Sequence, residues 1–276
     1  IYRGVLTGFN EAFIIDDSVK NMILTHCDDE ERARTEALMK PILRGRDIGK
    51  WRYKWANLWL INIYAGWTKK QFKSDYEANF KKYFPSLYNY LISKSNIKNK
   101  DGQNIFSRPS QGDFWWEIQT GQNVLNIFEQ NKIVFNKTTK DHYAFAYDNK
   151  NMLVNQSAYI MISTKYSLNI LLGILNSIFF KYIYKNLYSG GGIEGEITIF
   201  TLEQLPIPPI TPYNQHITKQ IEDLVNQILE LTQSDGYEQD QEKQQKVRDS
   251  EEQINELVYK LYNLTEEEIQ LIKEMC

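Results

Sequence analysis

The sequence holds only 2 cysteines in 276 residues, Cys27 and the terminal Cys276. That scarcity excludes a disulfide scaffold and fits a reducing, cytoplasmic compartment. Histidine is almost as rare: His26, His142 and His216 share no metal-ligand spacing with one another or with cysteine, so no metal site is expected. The adjacent His26-Cys27 reads as part of a helix start. Long apolar runs are also missing. The longest, residues 168–184, is interrupted by Asn169, Asn176, Ser177 and Lys181, so no membrane partner is expected. There is no Walker phosphate loop and no Gly-x-Ser-x-Gly elbow. A magnesium nuclease would need an acidic pair followed by Glu-x-Lys; Asp75 and Glu77 lie close together without one and read as solvated charges. An active site is therefore not expected within this chain. Residue 1 is isoleucine in strand-like sequence, with neither initiator methionine nor signal peptide, and the chain reads as part of a longer protein.

The formal net charge, -3, is small but conceals a division. Residues 40–100 carry 14 basic and 3 acidic side chains, whereas residues 201–276 carry 6 basic and 16 acidic. Asymmetry of this size points to a polyanion-binding segment, or else to lysines that merely solubilise one surface.

The hydrophobic pattern predicts an α+β chain. Residues 3–8 and 12–15 look like strands that turn at Asp16-Asp17-Ser18, followed by a helix around residues 30–39 that Pro41 ends. A basic, aromatic strand through Trp51, Tyr53 and Trp55 comes next, with Leu58-Trp59-Leu60-Ile61 beyond it. Pro85-Ser86 opens a helix with Ser86 as its cap, and residues 95–112 form a loop. Strands are expected at residues 133–135, 143–147, 158–162 and 196–200, and one buried helix over residues 168–184. Beyond the proline-rich stop at residues 205–209, Ile217, Ile221, Leu224, Ile228 and Leu231 form a heptad seam that Ile254, Leu257, Leu261 and Leu264 repeat. Residues 213–276 thus read as a long antiparallel helical hairpin, linked through an apolar-poor connection at residues 233–250 and closed by a capping box at Thr265 and Glu268.

The clearest chemical signal spans residues 40–59, where Arg44, Arg46, Lys50, Arg52 and Lys54 interleave with Trp51, Tyr53 and Trp55. Arginine forks match phosphate oxygens and guanine edges, and aromatic rings stack on bases. Period two equally places the tryptophans in the core and the basic residues in water. Arg46-Asp47 is open to a second reading, an internal ion pair that shapes a turn. Gly190, Gly191 and Gly192 are either a flexible connection or a close backbone approach to phosphate, the latter favoured by Lys181 and Lys185 just before them.

Taken in order, several blocks form a pattern: Gly4-Val5-Leu6-Thr7-Gly8-Phe9-Asn10-Glu11-Ala12-Phe13, Lys40-Pro41-Ile42-Leu43-Arg44-Gly45-Arg46-Asp47-Ile48, Trp116-Glu117, Lys132-Ile133-Val134-Phe135, Leu171-Leu172-Gly173-Ile174-Leu175-Asn176-Ser177, the glycine run and Leu205-Pro206-Ile207-Pro208. Together with residues 256–269, this order resembles the TaqI-like C-terminal target-recognition region of adenine-specific DNA methyltransferases, including fused restriction-modification enzymes. The resemblance runs through essentially the whole chain. It implies a mixed, curved β-sheet with packed helices in a recognition domain over residues 1–212, whose partner is double-stranded DNA. It also implies an N-terminal methyltransferase domain in the parent protein, which would bind S-adenosylmethionine and carry the Asn/Asp-Pro-Pro-Tyr motif absent here. No cofactor is expected in this chain, which is not expected to be active alone. The DNA-binding candidates are Arg44, Arg46, Lys50, Arg52 and Lys54, then Thr7, Asn10, Lys181 and Gly190 to Gly192, with the acidic helical tail expected off the DNA. The competing reading is a protein-interaction module that uses the helical hairpin.

Overall fold

The computed structural model describes residues 1–138, 143–188 and 196–275. It is an α+β fold with two four-stranded open sheets. The first sheet has the order β1 (Tyr2–Arg3), β8 (Ala158–Met161), β5 (Lys132–Asn136), β6 (Phe145–Asp148), and every pairing in it is antiparallel. The second has the order β2 (Ile14–Asp16), β4 (Leu58–Ile61), β3 (Met39–Leu43), β7 (Leu153–Val154), with β3 and β7 parallel. Pro41 does not end the helix before it: α3 (Asp29–Ala37) stops earlier, and Pro41 lies within β3. Its missing N–H is tolerated there because β7 pairs only with Ile42 and Leu43, which leaves the chain at Pro41 paired on one side.

The first sheet is a partition between two hydrophobic cores. Strand side chains alternate between faces, and Val134, Ala146 and Ile160 enter one core while Ile133, Phe135, Phe145, Tyr159 and Met161 enter the other. The first core also receives the second sheet and helices α1 (Asn10–Phe13), α2 (Asp17–Thr25) and α6 (Pro85–Ser93). The second receives α8 (Leu168–Leu175), α9 (Ile178–Ile183), α11 (Gln215–Gln233) and α12 (Gln241–Leu261). Two fully buried charges brace the end of the partition. Lys132 Nζ meets Asp148 at 2.5 Å and donates to the Phe128 carbonyl at 2.7 Å. Asp148 also accepts from the Tyr53 hydroxyl at 2.7 Å and the Met152 N–H at 3.0 Å.

Helices α11 and α12 form the expected antiparallel hairpin, but the connection is much shorter than its composition implied. Residues 234–240 join them, and Asp240 caps α12 by accepting from the Lys243 N–H. The inner face of α11, through Ile221, Val225 and Ile228, packs on α8 at Gly173, where an added Cβ would stand 2.6 Å from Ile221 Cγ2. A terminal helix, α13 (Glu266–Met275), has the Thr265–Glu268 capping box: the Thr265 N–H donates to Glu268 at 2.8 Å and the Glu268 N–H to the Thr265 hydroxyl at 3.3 Å.

Other expectations are corrected. Asp16 does not begin a simple turn; its carboxylate accepts the Val19 N–H and starts α2. His26 lies at the C-terminal end of α2, with Nδ1 2.7 Å from the Met22 carbonyl, and not at a helix start. Ala12 and Phe13 belong to α1, and the polar, Lys-rich stretch before Phe84 holds α4 (Trp67–Gln71) and α5 (Tyr76–Tyr83). Ser86 does not cap α6: its N–H and hydroxyl donate to Glu31 at 2.7 and 2.8 Å. Residues 168–184 make two helices, because the Ser177 hydroxyl caps α9 and Asn176 turns aside to grip β6. Its side chain accepts from the Phe145 N–H at 3.2 Å and donates to the Phe145 carbonyl at 2.9 Å. Near residue 196 only a bridge from Glu196 to Thr138 forms, and Thr198 then caps α10 (Ile199–Glu203).

Candidate nucleic-acid interface

The basic segment after β3 is a folded loop, not a straight strand. Trp51 holds a left-handed φ of 70°, an uncommon conformation for a bulky side chain. Its N–H donates to the Phe145 carbonyl at 2.9 Å and its indole Nε1–H to Glu251 at 2.5 Å, and these contacts with burial hold the bend. The chain reverses there, with the Gly49 N–H reaching the Arg52 carbonyl and Ile48 bridging Tyr53. The aromatic residues point inward, as period two allowed: Trp51 is buried, Tyr53 anchors on Asp148, and Trp55 donates to the Leu58 carbonyl.

The flanking cations divide into groups. Arg44 is a turn-former: its backbone N–H, Nε and a terminal nitrogen all donate to Asp47, at 2.7, 3.0 and 2.8 Å. The fork and charge of Asp47 hold the guanidinium proton more firmly than usual. The internal ion pair suspected for Arg46 thus belongs to Arg44. Arg46 itself is exposed and makes no hydrogen bond or ion pair among the described residues. Arg52 and Lys54 both bind Glu238, beside the turn of the helical hairpin, and Arg52 also lies over the Tyr237 ring. Lys50 pairs with Glu251 of α12 at 2.8 Å. Two carboxylates of the acidic tail therefore clasp three cations of the basic segment. Opposite charge blocks in the sequence carried that signal, which the reading of the tail as a separate acidic element passed over.

Arg46, Lys50 and Lys181 come together although they lie far apart in sequence. They line one open cleft of about 800 Å³, with Asn136, Thr138 and Asn176 in its walls. Sequence reasoning missed these wall residues, since they converge only through the β5 pairing and the helix break. Thr7 and Asn10 stand elsewhere, in a second cleft of about 700 Å³ beside α1. The Thr7 hydroxyl donates to Asn10 Oδ1 at 2.6 Å and accepts the Phe9 N–H at 3.1 Å. In the turn at residues 155–157, Gln156 lines the second cleft, and the Ser157 hydroxyl accepts the N–H of Gly45, the residue before Arg46. Gly190, Gly191 and Gly192 lie outside the described residues. Among the described residues no group of three or more His, Cys, Asp and Glu side chains is placed to hold a metal, and no helix is long and apolar enough to cross a membrane.

The cationic cleft at the end of β5 and the polar cleft beside α1 belong to one α+β chain. Residues 40–207 match the family model for the TaqI-like C-terminal specificity domain, and the chain belongs to that family. Membership assigns it to DNA sequence recognition in a methyltransferase or restriction system. The matched span contains the basic loop, β5, β6, β8 and the paired helices α8 and α9, and is shorter than the whole-chain resemblance expected from the sequence. No curated protein matches the chain well enough to count as a relative.

Proposed function

We propose that the chain is the sequence-specific, double-stranded DNA recognition domain of a larger adenine-specific methyltransferase or restriction-modification enzyme. Family membership gives the class, and the observation that carries the assignment to a surface is the convergence of Arg46, Lys50 and Lys181 on one cleft. Cations gathered in a cleft hold phosphates and set register, while polar groups beside them read base edges. Arg46 is the leading phosphate contact, because among the described residues it has no carboxylate to give up. Arg52 and Lys54 act one layer behind, anchoring the loop to the hairpin, and Arg44 shapes the turn that presents Arg46. S-adenosylmethionine and the base-accepting motif belong to the parent's N-terminal half, where the flipped adenine would be methylated.

Duplex binding measured by fluorescence anisotropy across a salt series tests the assignment. Affinity should fall steeply, with a log-log slope of about -0.9 per phosphate neutralised. Binding independent of salt, or absent even at low salt, overturns it. A protein-interaction role for the hairpin has one observation in its favour, an outer groove of about 1060 Å³ with Leu224 and Leu257 in its walls. Duplex binding that survives Arg46→Ala and Lys50→Ala unchanged would favour that role.

A further inference from the structure

The second cleft contains many side-chain amides, and their states differ. Asn10 uses its oxygen to accept the Thr7 hydroxyl, and Asn99 and Gln103 are joined to each other at 3.2 Å. Gln119 and Gln156 are different: both line the cleft, both are exposed, and neither side chain makes a hydrogen bond among the described residues.

The backbone beneath these two free amides is locked. The Gln119 and Thr120 N–H groups both donate to the Leu6 carbonyl, at 3.1 and 3.2 Å. Gly8, at φ +70°, packs so closely that an added Cβ would stand 1.6 Å from the Ser110 carbonyl oxygen. Arg108, 2% exposed, donates to the Thr7, Trp115 and Glu117 carbonyls at 2.9, 3.0 and 2.5 Å, joining three segments of the cleft frame. On the other side, Asn155 fixes the turn that carries Gln156, donating its N–H to the Leu43 carbonyl and accepting the Ser157 N–H and hydroxyl.

A forked amide offers one acceptor and one donor at the spacing of adenine N6 and N7, a pairing that distinguishes A·T from other base pairs in the major groove. Readout needs such a group free at its tip and fixed at its root. We propose that Gln119 and Gln156 read adenine edges in the major groove, with exposed Lys100 at the same cleft steadying the backbone. This deepens the DNA-recognition reading and rests on it. The adenines concerned are ones read in the stacked duplex, distinct from a base flipped out for methylation.

The test is selection of binding sites by the full-length protein from a randomised duplex pool, repeated for Gln119→Ala, Gln156→Ala and Gln119→Glu. Each alanine variant should lose preference at one adenine position by on the order of 5- to 150-fold while keeping the wild-type salt slope. Gln119→Glu should turn its position toward cytosine, whose N4 amino group donates to a carboxylate. Because both side chains are exposed, the variants should retain the wild-type thermal midpoint. Salt-dependent binding with an unaltered selected sequence in all three variants overturns this inference alone. No salt-dependent binding by the wild type overturns both it and the DNA reading.

Discussion

Arg44 and Arg46 stand two residues apart, carry the same charge and should respond oppositely to removal. Arg44→Ala deletes a guanidinium that donates twice to Asp47, whose side chain is only 6% exposed. A hydrogen bond to a charged group contributes about 1.5–3 kcal/mol net, less where one partner is partly solvated as Arg44 is, so a loss of about 1–3 kcal/mol follows. At roughly 2–4 °C per kcal/mol, the thermal midpoint should drop by about 2–12 °C. Arg46→Ala removes an exposed side chain that has no partner among the described residues, and stability should stay within about 0.5 kcal/mol of wild type. Its effect falls on DNA binding: one lost phosphate contact flattens the log-log salt slope by about 0.9. Between 50 and 200 mM salt, the wild type should then lose about 3.5-fold more affinity than the variant. Calorimetry of both variants, with anisotropy titrations on one duplex across that salt range, gives both readouts. An unchanged slope in Arg46→Ala, or a flattened slope in Arg44→Ala at an unchanged midpoint, would refute the division of roles.

Three further outcomes are expected. Lys132→Met strands the buried Asp148 carboxylate and should cost about 3–5 kcal/mol in urea unfolding; a loss below about 1 kcal/mol would show that the pair is not closed in solution. Gly173→Ala gains about 1 kcal/mol in helix propensity but drives a methyl against Ile221 and Val225, so the thermal midpoint should fall, and combining it with Ile221→Ala, which removes the clashing Cγ2, should cost less than the sum of the two single changes. Burial holds the Tyr53, Tyr90 and Tyr262 phenols above their ordinary value. The unfolded chain releases those protons from about pH 10 while the folded one keeps them, so stability should decline as pH rises past that point. Ultraviolet titration should show these three ionising only together with unfolding; full ionisation of a still-folded protein would contradict the burial.

What the sequence made legible was whatever local chemistry decides. Short apolar runs located β5, β6 and β8, proline opened α6, and Thr265 with Glu268 marked the start of α13. The failures occurred where distant groups overrule local pattern. Trp51 alternates as in a strand, yet Glu251, 200 residues away, holds its indole and lets the chain reverse. Residues 168–184 have an unbroken helical period, but Asn176 bonds to Phe145 instead of continuing it. For the candidate site, residue types were readable and groupings were not. Arg46, Lys50 and Lys181 share a cleft only because β5 and the helix break bring them to one place, whereas Arg52 and Lys54 are claimed by Glu238.

The hold of Asn176 on Phe145 also matters for how the protein behaves in company. Strand β6 ends its sheet, and an end strand with unsatisfied backbone groups is a template on which another chain can add. Here a single side-chain amide occupies both the donor and the acceptor of Phe145, with the Trp51 N–H sharing the carbonyl. A helix-breaking residue thus doubles, with the Trp51 loop that bridges Ala146, as a cover for the outer edge of the strand, and a variant lacking it would leave the Phe145 N–H without its acceptor.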